Sequence, residues 1–159
     1  MSGFVIRKAV RADVDACWEI RHLSVLRECG PLYPAEQLEA WTGGVASRAF
    51  AAAVEDCFLV ATVDGRVVAT GMLSLGTGKI DAIFVHPDFM RRGIASAMVG
   101  HLEELARYER LPRLVLDSTL NAAPFYRGLG FVGDAVARYP SARGLQLDCI
   151  PMIKDLRSH

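Results

Sequence analysis

The sequence predicts a mixed α/β fold in which one sheet carries helices on both faces. Three observations carry this reading. Between Ile80 and Asp117 the chain runs strand, helix, strand, and a crossover of that length and type makes the two strands parallel and right-handed. "CFLVATV" and "RVVATGMLSL" flank Asp64-Gly65, a two-residue turn that joins antiparallel strands because both residues accept positive φ. "FVGDAVARY" and "LQLDCIPMIK" then add a second antiparallel pair.

Each element follows in order. "FVIRKAV" (4–10) reads as the first strand. "ADVDACWEIRHLSVLREC" places Val14, Cys17, Trp18 and Val25 on one helical stripe, and Gly30 and Pro31 end it. "YPAEQLEAW" (33–41) is a short helix with Pro34 at its first position, and alanine-rich "SRAFAAAVE" (47–55) is another. After the hairpin, "LGTGK" makes a loop and "IDAIFV" (80–85) a strand that stops at His86-Pro87. The next helix runs to about Tyr108, with Ile94, Met98, Leu102 and Leu105 on its buried face. "RLVLD" (113–117) is a strand, and "NAAPFYRGLG" (121–130) a short helix closed by Gly130.

Composition narrows the function classes. A chain of 159 residues with 52% hydrophobic and 23% charged residues matches one soluble domain spanning 1–159. Lys plus Arg and Asp plus Glu both number 18, which argues against a nucleic-acid partner. No apolar run approaches a membrane span and no signal peptide is read, so no membrane association is expected. Cys17, Cys29, Cys57 and Cys149 are scattered without metal-ligand spacing. They predict a reducing, cytoplasmic setting with neither disulfide nor metal.

The segment most suggestive of chemistry is "VHPDFMRRGIASAMV" (85–99). It leads from a strand into a helix N-terminus, where unpaired N–H groups and the helix dipole suit a phosphate. Gly93 permits close backbone approach, Ala95 and Ser96 keep the entrance uncrowded, and Arg91 and Arg92 add charge. By itself the fragment reads first as an ordinary helix start with solvated arginines. "LGTGKI" lacks the first Gly and the final Ser or Thr of a nucleotide-hydrolase loop. No GxGxxG follows the first strand either.

Two blocks in one order change the weighing. "IDAIFVHPDFMRRGIASAMVGHLEELA" followed by "LVLDSTLNAAPFYRGLGFV" resembles the GNAT superfamily of N-acetyltransferases over roughly residues 57–133. The acyl-CoA loop of that superfamily has Gln or Arg, two variable residues, Gly, one variable residue, then Gly or Ala. Here Met90 stands at the first position, and Gly93 and Ala95 match. The resemblance implies acetyl-CoA as co-substrate, with its pyrophosphate on the amides of Arg91, Arg92, Gly93, Ile94, Ala95 and Ser96. Its pantetheine arm would run beside Phe84 and Val85, in a gap where the parallel strands splay apart. The Val85 N–H would polarise the thioester carbonyl. Asn121 would hydrogen-bond the arm, although Asn is also a preferred helix N-cap. Tyr126 would act as general acid on the leaving thiolate, since a phenol is protonated at neutral pH.

The attacking amine must lose a proton. Asp81 is the candidate base, with Asp117 on the neighbouring strand as the other option and structural strand-end roles open for both. His86 reads as a turn residue, and His22 and His101 as surface or interface residues. Tyr33, Glu36 and Trp41 are candidate walls for the acceptor, Trp41 being equally a core residue. The expected activity is acetyl transfer to a small-molecule or protein amine by direct attack in a ternary complex. A non-catalytic acyl-CoA-binding or sensing protein of the same fold is the alternative. Homodimers are common among proteins of this resemblance.

Overall fold

A computed structural model describes residues 3–30, 33–42, 44–140 and 146–157, with the side chains of 28, 40–42, 138–140, 146 and 147 outside that description. Seven strands form one sheet in the order β1-β2-β3-β4-β5-β7-β6. They are β1 (Val5–Lys8), β2 (Phe58–Val63), β3 (Arg66–Ser74), β4 (Lys79–Val85), β5 (Arg113–Ser118), β6 (Ala137–Pro140) and β7 (Gln146–Asp155). The helices are α1 (Val14–Cys29), α2 (Ala35–Thr42), α3 (Arg48–Cys57), α4 (Ile94–Tyr108) and α5 (Ala123–Gly128). The β2–β3 turn has positive φ at both Asp64 and Gly65, as its sequence requires. All pairings are antiparallel except β4–β5.

Local chemistry sets the boundaries. Ser47 caps α3, its side chain accepting from the Phe50 N–H, so the helix starts one residue later than the sequence suggests and Cys57 ends it. The predicted strand over 131–139 is corrected. Only Val132 makes a bridge, to Ile153, before β6 begins at Ala137. Gly133, with φ +148°, interrupts the run after that bridge.

The sheet divides the core. On one face, Ile80, Val85, Leu114, Leu116 and Met152 pack with Ile94, Met98 and Leu102 of α4. On the other, Phe58, Val60 and Met72 pack with Cys17 of α1 and Val54 of α3, while Phe84 meets Val25 and Cys29 of α1. Burial of the α4 stripe holds that helix, since each large apolar side chain removed from water contributes about 1.5–3 kcal/mol.

Candidate active site

A bulge opens the middle of the sheet. Thr70 pairs with Phe84 but Met72 pairs with Asp81, so Ala82 and Ile83 together oppose Gly71. Ala82 has φ +58°, and its carbonyl accepts a hydrogen bond of 2.6 Å from the buried Thr70 hydroxyl. A bulge bends and twists its strand. β4 and β5 pair only at Lys79 and Val115 and diverge beyond that point. Gly71 lets α4 sit close over the bulge, because a Cβ there would lie 2.6 Å from Met98 Cγ.

The divergence creates a cleft of about 890 Å³ that runs between β4 and β5 and is lined from both sides of the sheet. Its size falls within the range of small-molecule sites. Val85 sits at its edge with defined polarity. The His86 N–H donates to Val68 O at 2.8 Å, so by strand alternation the Val85 N–H points away from β3 and into the gap.

The helix α4 enters the cleft at its N-terminus. Arg91 and Gly93 have φ of +65° and +80°, and no side chain caps the helix. The first hydrogen bond of this turn runs from the Ala97 N–H to Gly93 O, at 3.0 Å. The amides of Ile94, Ala95 and Ser96 therefore precede it as donors to the cleft, with the dipole behind them. A Cβ on Gly93 would meet no protein atom within 4 Å. Glycine is needed for its left-handed φ and leaves that side open to a ligand.

Of the predicted residues, Asp81, Phe84, Val85, Arg91, Gly93, Ile94, Ala95, Ser96, Asn121 and Tyr126 all line this cleft. Arg92 does not. Its guanidinium lies 5.0 Å from the Phe89 ring centre, so only its backbone remains in the loop. Met90, the position departing from the family pattern, lines the cleft with its own side chain environment already apolar.

Tyr126 is 8% exposed and packs edge-on to Phe125 and Phe131 at 5.1 and 5.8 Å. Burial, and secondarily the Asp81 carboxylate, push its hydroxyl well above the usual phenol range. Burial also raises the Asp81 carboxyl, with Lys79 opposing and Asp117 adding to the rise. Asp117 makes an ion pair of 3.2 Å with Lys79, which leaves Asp81 the less neutralised of the two candidate bases.

Three expectations are corrected. Asn121 does not cap α5. Ala122 is the capping residue and offers no side chain, while Asn121 Oδ1 accepts from Cys29 Sγ at 3.5 Å. Tyr33 is not a wall of the cleft. It is buried, and its hydroxyl donates to Asp148 O at 2.9 Å and accepts from Leu120 N at 3.3 Å, tying α2's approach to β7. Glu36 is exposed and away from the cleft. Trp41 belongs to α2, but its side chain lies outside the described residues. His86 fits its turn reading, its Nδ1 accepting from Asp88 N at 3.1 Å.

Sequence reasoning missed the opposite wall. Arg21, Ser24 and Cys29 of α1, and Phe50 and Ala53 of α3, face the cleft. No local motif marks them, because they reach it only through packing across the sheet.

Comparison with known proteins agrees with this geometry. Residues 13–131 match the acetyltransferase (GNAT) family model. An uncharacterized N-acetyltransferase, YafP of Escherichia coli (strain K12), is 29% identical over 131 residues, covering 82% of this chain and 83% of the relative. The crystal structure of a GCN5-related N-acetyltransferase from Rhodopseudomonas palustris superposes with a TM-score of 0.89 at 29% identity, covering 98% of both chains. The PaiA N-acetyltransferase of Thermoplasma acidophilum, solved with coenzyme A, shares the fold with a TM-score of 0.77 at 17% identity, over 96% of this chain and 98% of its own. Family match, full-length fold and a cleft at an uncapped helix N-terminus converge: the protein belongs to the GNAT family and is an acetyl-CoA-dependent N-acetyltransferase.

Proposed function

We propose that the protein acetylates a primary amine by direct attack in a ternary complex, inside the cleft between β4 and β5. One observation carries this reading. The uncapped end of α4, the outward Val85 N–H, Asp81 and Tyr126 all open onto the same space.

Acetyl-CoA supplies the thioester and a thiolate leaving group. The amides of Ile94, Ala95 and Ser96 take its pyrophosphate, and Arg91, which lines the cleft, adds charge. Asn121, with its Oδ1 engaged by Cys29, turns its NH₂ donors to the pantetheine arm. The Val85 N–H meets the carbonyl oxygen and stabilises the charge that develops there. Asp81 accepts the amine's proton directly or through water. Its burial strengthens it as a base, which suits work near neutral pH. Tyr126, held protonated by burial, gives its proton to the departing sulfur. That sulfur shares the same desolvated site, which also raises its basicity.

The reading is tested by amine-dependent release of CoA from acetyl-CoA, with initial rates measured against both substrates. Intersecting double-reciprocal lines support direct attack. Parallel lines, with an acetylated protein isolable in the absence of amine, overturn it.

A further inference from the structure

The acceptor half of the cleft has a composition of its own. Asp81 pairs in register with Met72, and directly opposed residues share a sheet face. Asp81 therefore lies on the α1/α3 face, opposite α4, where Met72 packs with Phe58. The walls there are Phe50 and Ala53 of α3, Phe58 and Met72. Phe50 is fixed by edge-on contacts to Trp18 at 4.9 Å and Phe58 at 5.5 Å. The Ser47 cap on its N–H holds the same turn. These side chains form a preformed apolar corner beside Asp81.

Charge limits what else fits. The charged side chains lining the cleft, among the described residues, are Arg21, Asp81, Arg91 and Asp117. Arg91 stands at the α4 end, and Asp117 is paired with Lys79. The Arg21 guanidinium stacks over the Trp18 ring at 4.9 Å, so Asp81 is the carboxylate that the acceptor half presents to an ammonium. An ammonium has a partner there, and the walls beside it are apolar.

We propose that the acceptor is a primary amine bearing an apolar group such as an aryl or branched alkyl. Its nitrogen sits at Asp81 and its apolar group lies against Phe50, Ala53, Phe58 and Met72. In the transfer a bond forms from nitrogen to the acyl carbon and the carbon–sulfur bond breaks. The amine's proton passes to Asp81 and the sulfur leaves as the CoA thiol. This inference rests on the amine-acetylation reading above and adds the class of amine.

The test is CoA release by the full chain with phenethylamine, isopentylamine, ethylamine and spermidine as acceptors, alongside the melting-temperature response to CoA. Burial of the apolar group predicts kcat/KM for phenethylamine and isopentylamine about tenfold to about a hundredfold above ethylamine. Both should also exceed spermidine. Ala53→Leu fills the corner, so it should lower kcat/KM for phenethylamine by about tenfold and narrow the ratio of phenethylamine to ethylamine. If that variant does not fold, the wild-type ratio between phenethylamine and ethylamine carries the test. Release that favours spermidine or ethylamine overturns this inference and leaves amine acetylation standing. Stabilisation by CoA with no release by any amine overturns both.

Discussion

Replacing Tyr126 by Phe removes one oxygen from the site and little else. The ring keeps its edge contacts with Phe125 and Phe131. Among the described residues no group is hydrogen-bonded to the hydroxyl, so folding loses no protein hydrogen bond. A melting temperature close to that of the parent is expected, because the ring packing is kept. Catalysis should respond differently. A positioned acid contributes about 10²- to 10⁴-fold, equivalent to about 2.7–5.5 kcal/mol of barrier. Tyr126→Phe should therefore lower kcat by that factor while the melting-temperature response to CoA stays intact. Because burial and Asp81 hold the hydroxyl above its usual range, the wild-type rate should show no alkaline decline from this group below the ordinary phenol pKa of about 10. Continuous thiol detection of released CoA reads both. A folded variant with parental kcat would refute the general-acid assignment.

Three further outcomes follow from the same geometry. Gly93→Glu places a carboxylate in open space at the α4 end and forces a left-handed φ that costs an L-residue about 1–2 kcal/mol. The variant should fold with a lowered melting temperature and lose stabilisation by CoA; normal CoA binding would show the helix end is not the phosphate site. Asp81→Asn should lower turnover and raise the melting temperature at neutral pH. The sign follows from burial: with the folded pKa raised, the native state binds the proton more tightly than the unfolded chain, so stability falls as pH rises through that range. The gain should vanish in acid, where Asp81 is protonated, and an unchanged melting temperature at pH 7 would contradict its burial cost. Cys29→Ser should keep kcat near the parental value, since the thiol donates to Asn121 and a hydroxyl can do the same; loss of all turnover would point to an acyl-cysteine route.

The parts of the site that lie within one turn of the chain were legible beforehand. Gly93 and the residues to Ser96 follow a strand and open a helix, and that order alone defines their backbone amides. Tyr126 and Asn121 were found through a second block at the right separation. What escaped was fixed by distant contacts. Alanine at 82 carries no signal for positive φ. Its bulge depends on the Thr70 hydroxyl and on Gly71 beneath Met98. Tyr33 resembles a pocket wall in sequence, yet its hydroxyl bridges Leu120 and Asp148, partners close to a hundred residues away. Phe50 and Ala53 sit on an alanine-rich helix whose pattern marks an apolar face but not the cavity it meets. Arg92 stands out in the sequence by its charge, but it stacks on Phe89, and the proposed phosphate contacts come from backbone amides.

The direct measurement of the central claim is release of free CoA from acetyl-CoA by the wild-type chain across a panel of amines, paired with thermal stabilisation by CoA. The expected result is stabilisation by CoA and saturable, amine-dependent release. Stabilisation without release by any amine would mark a non-catalytic acyl-CoA binder and contradict the account.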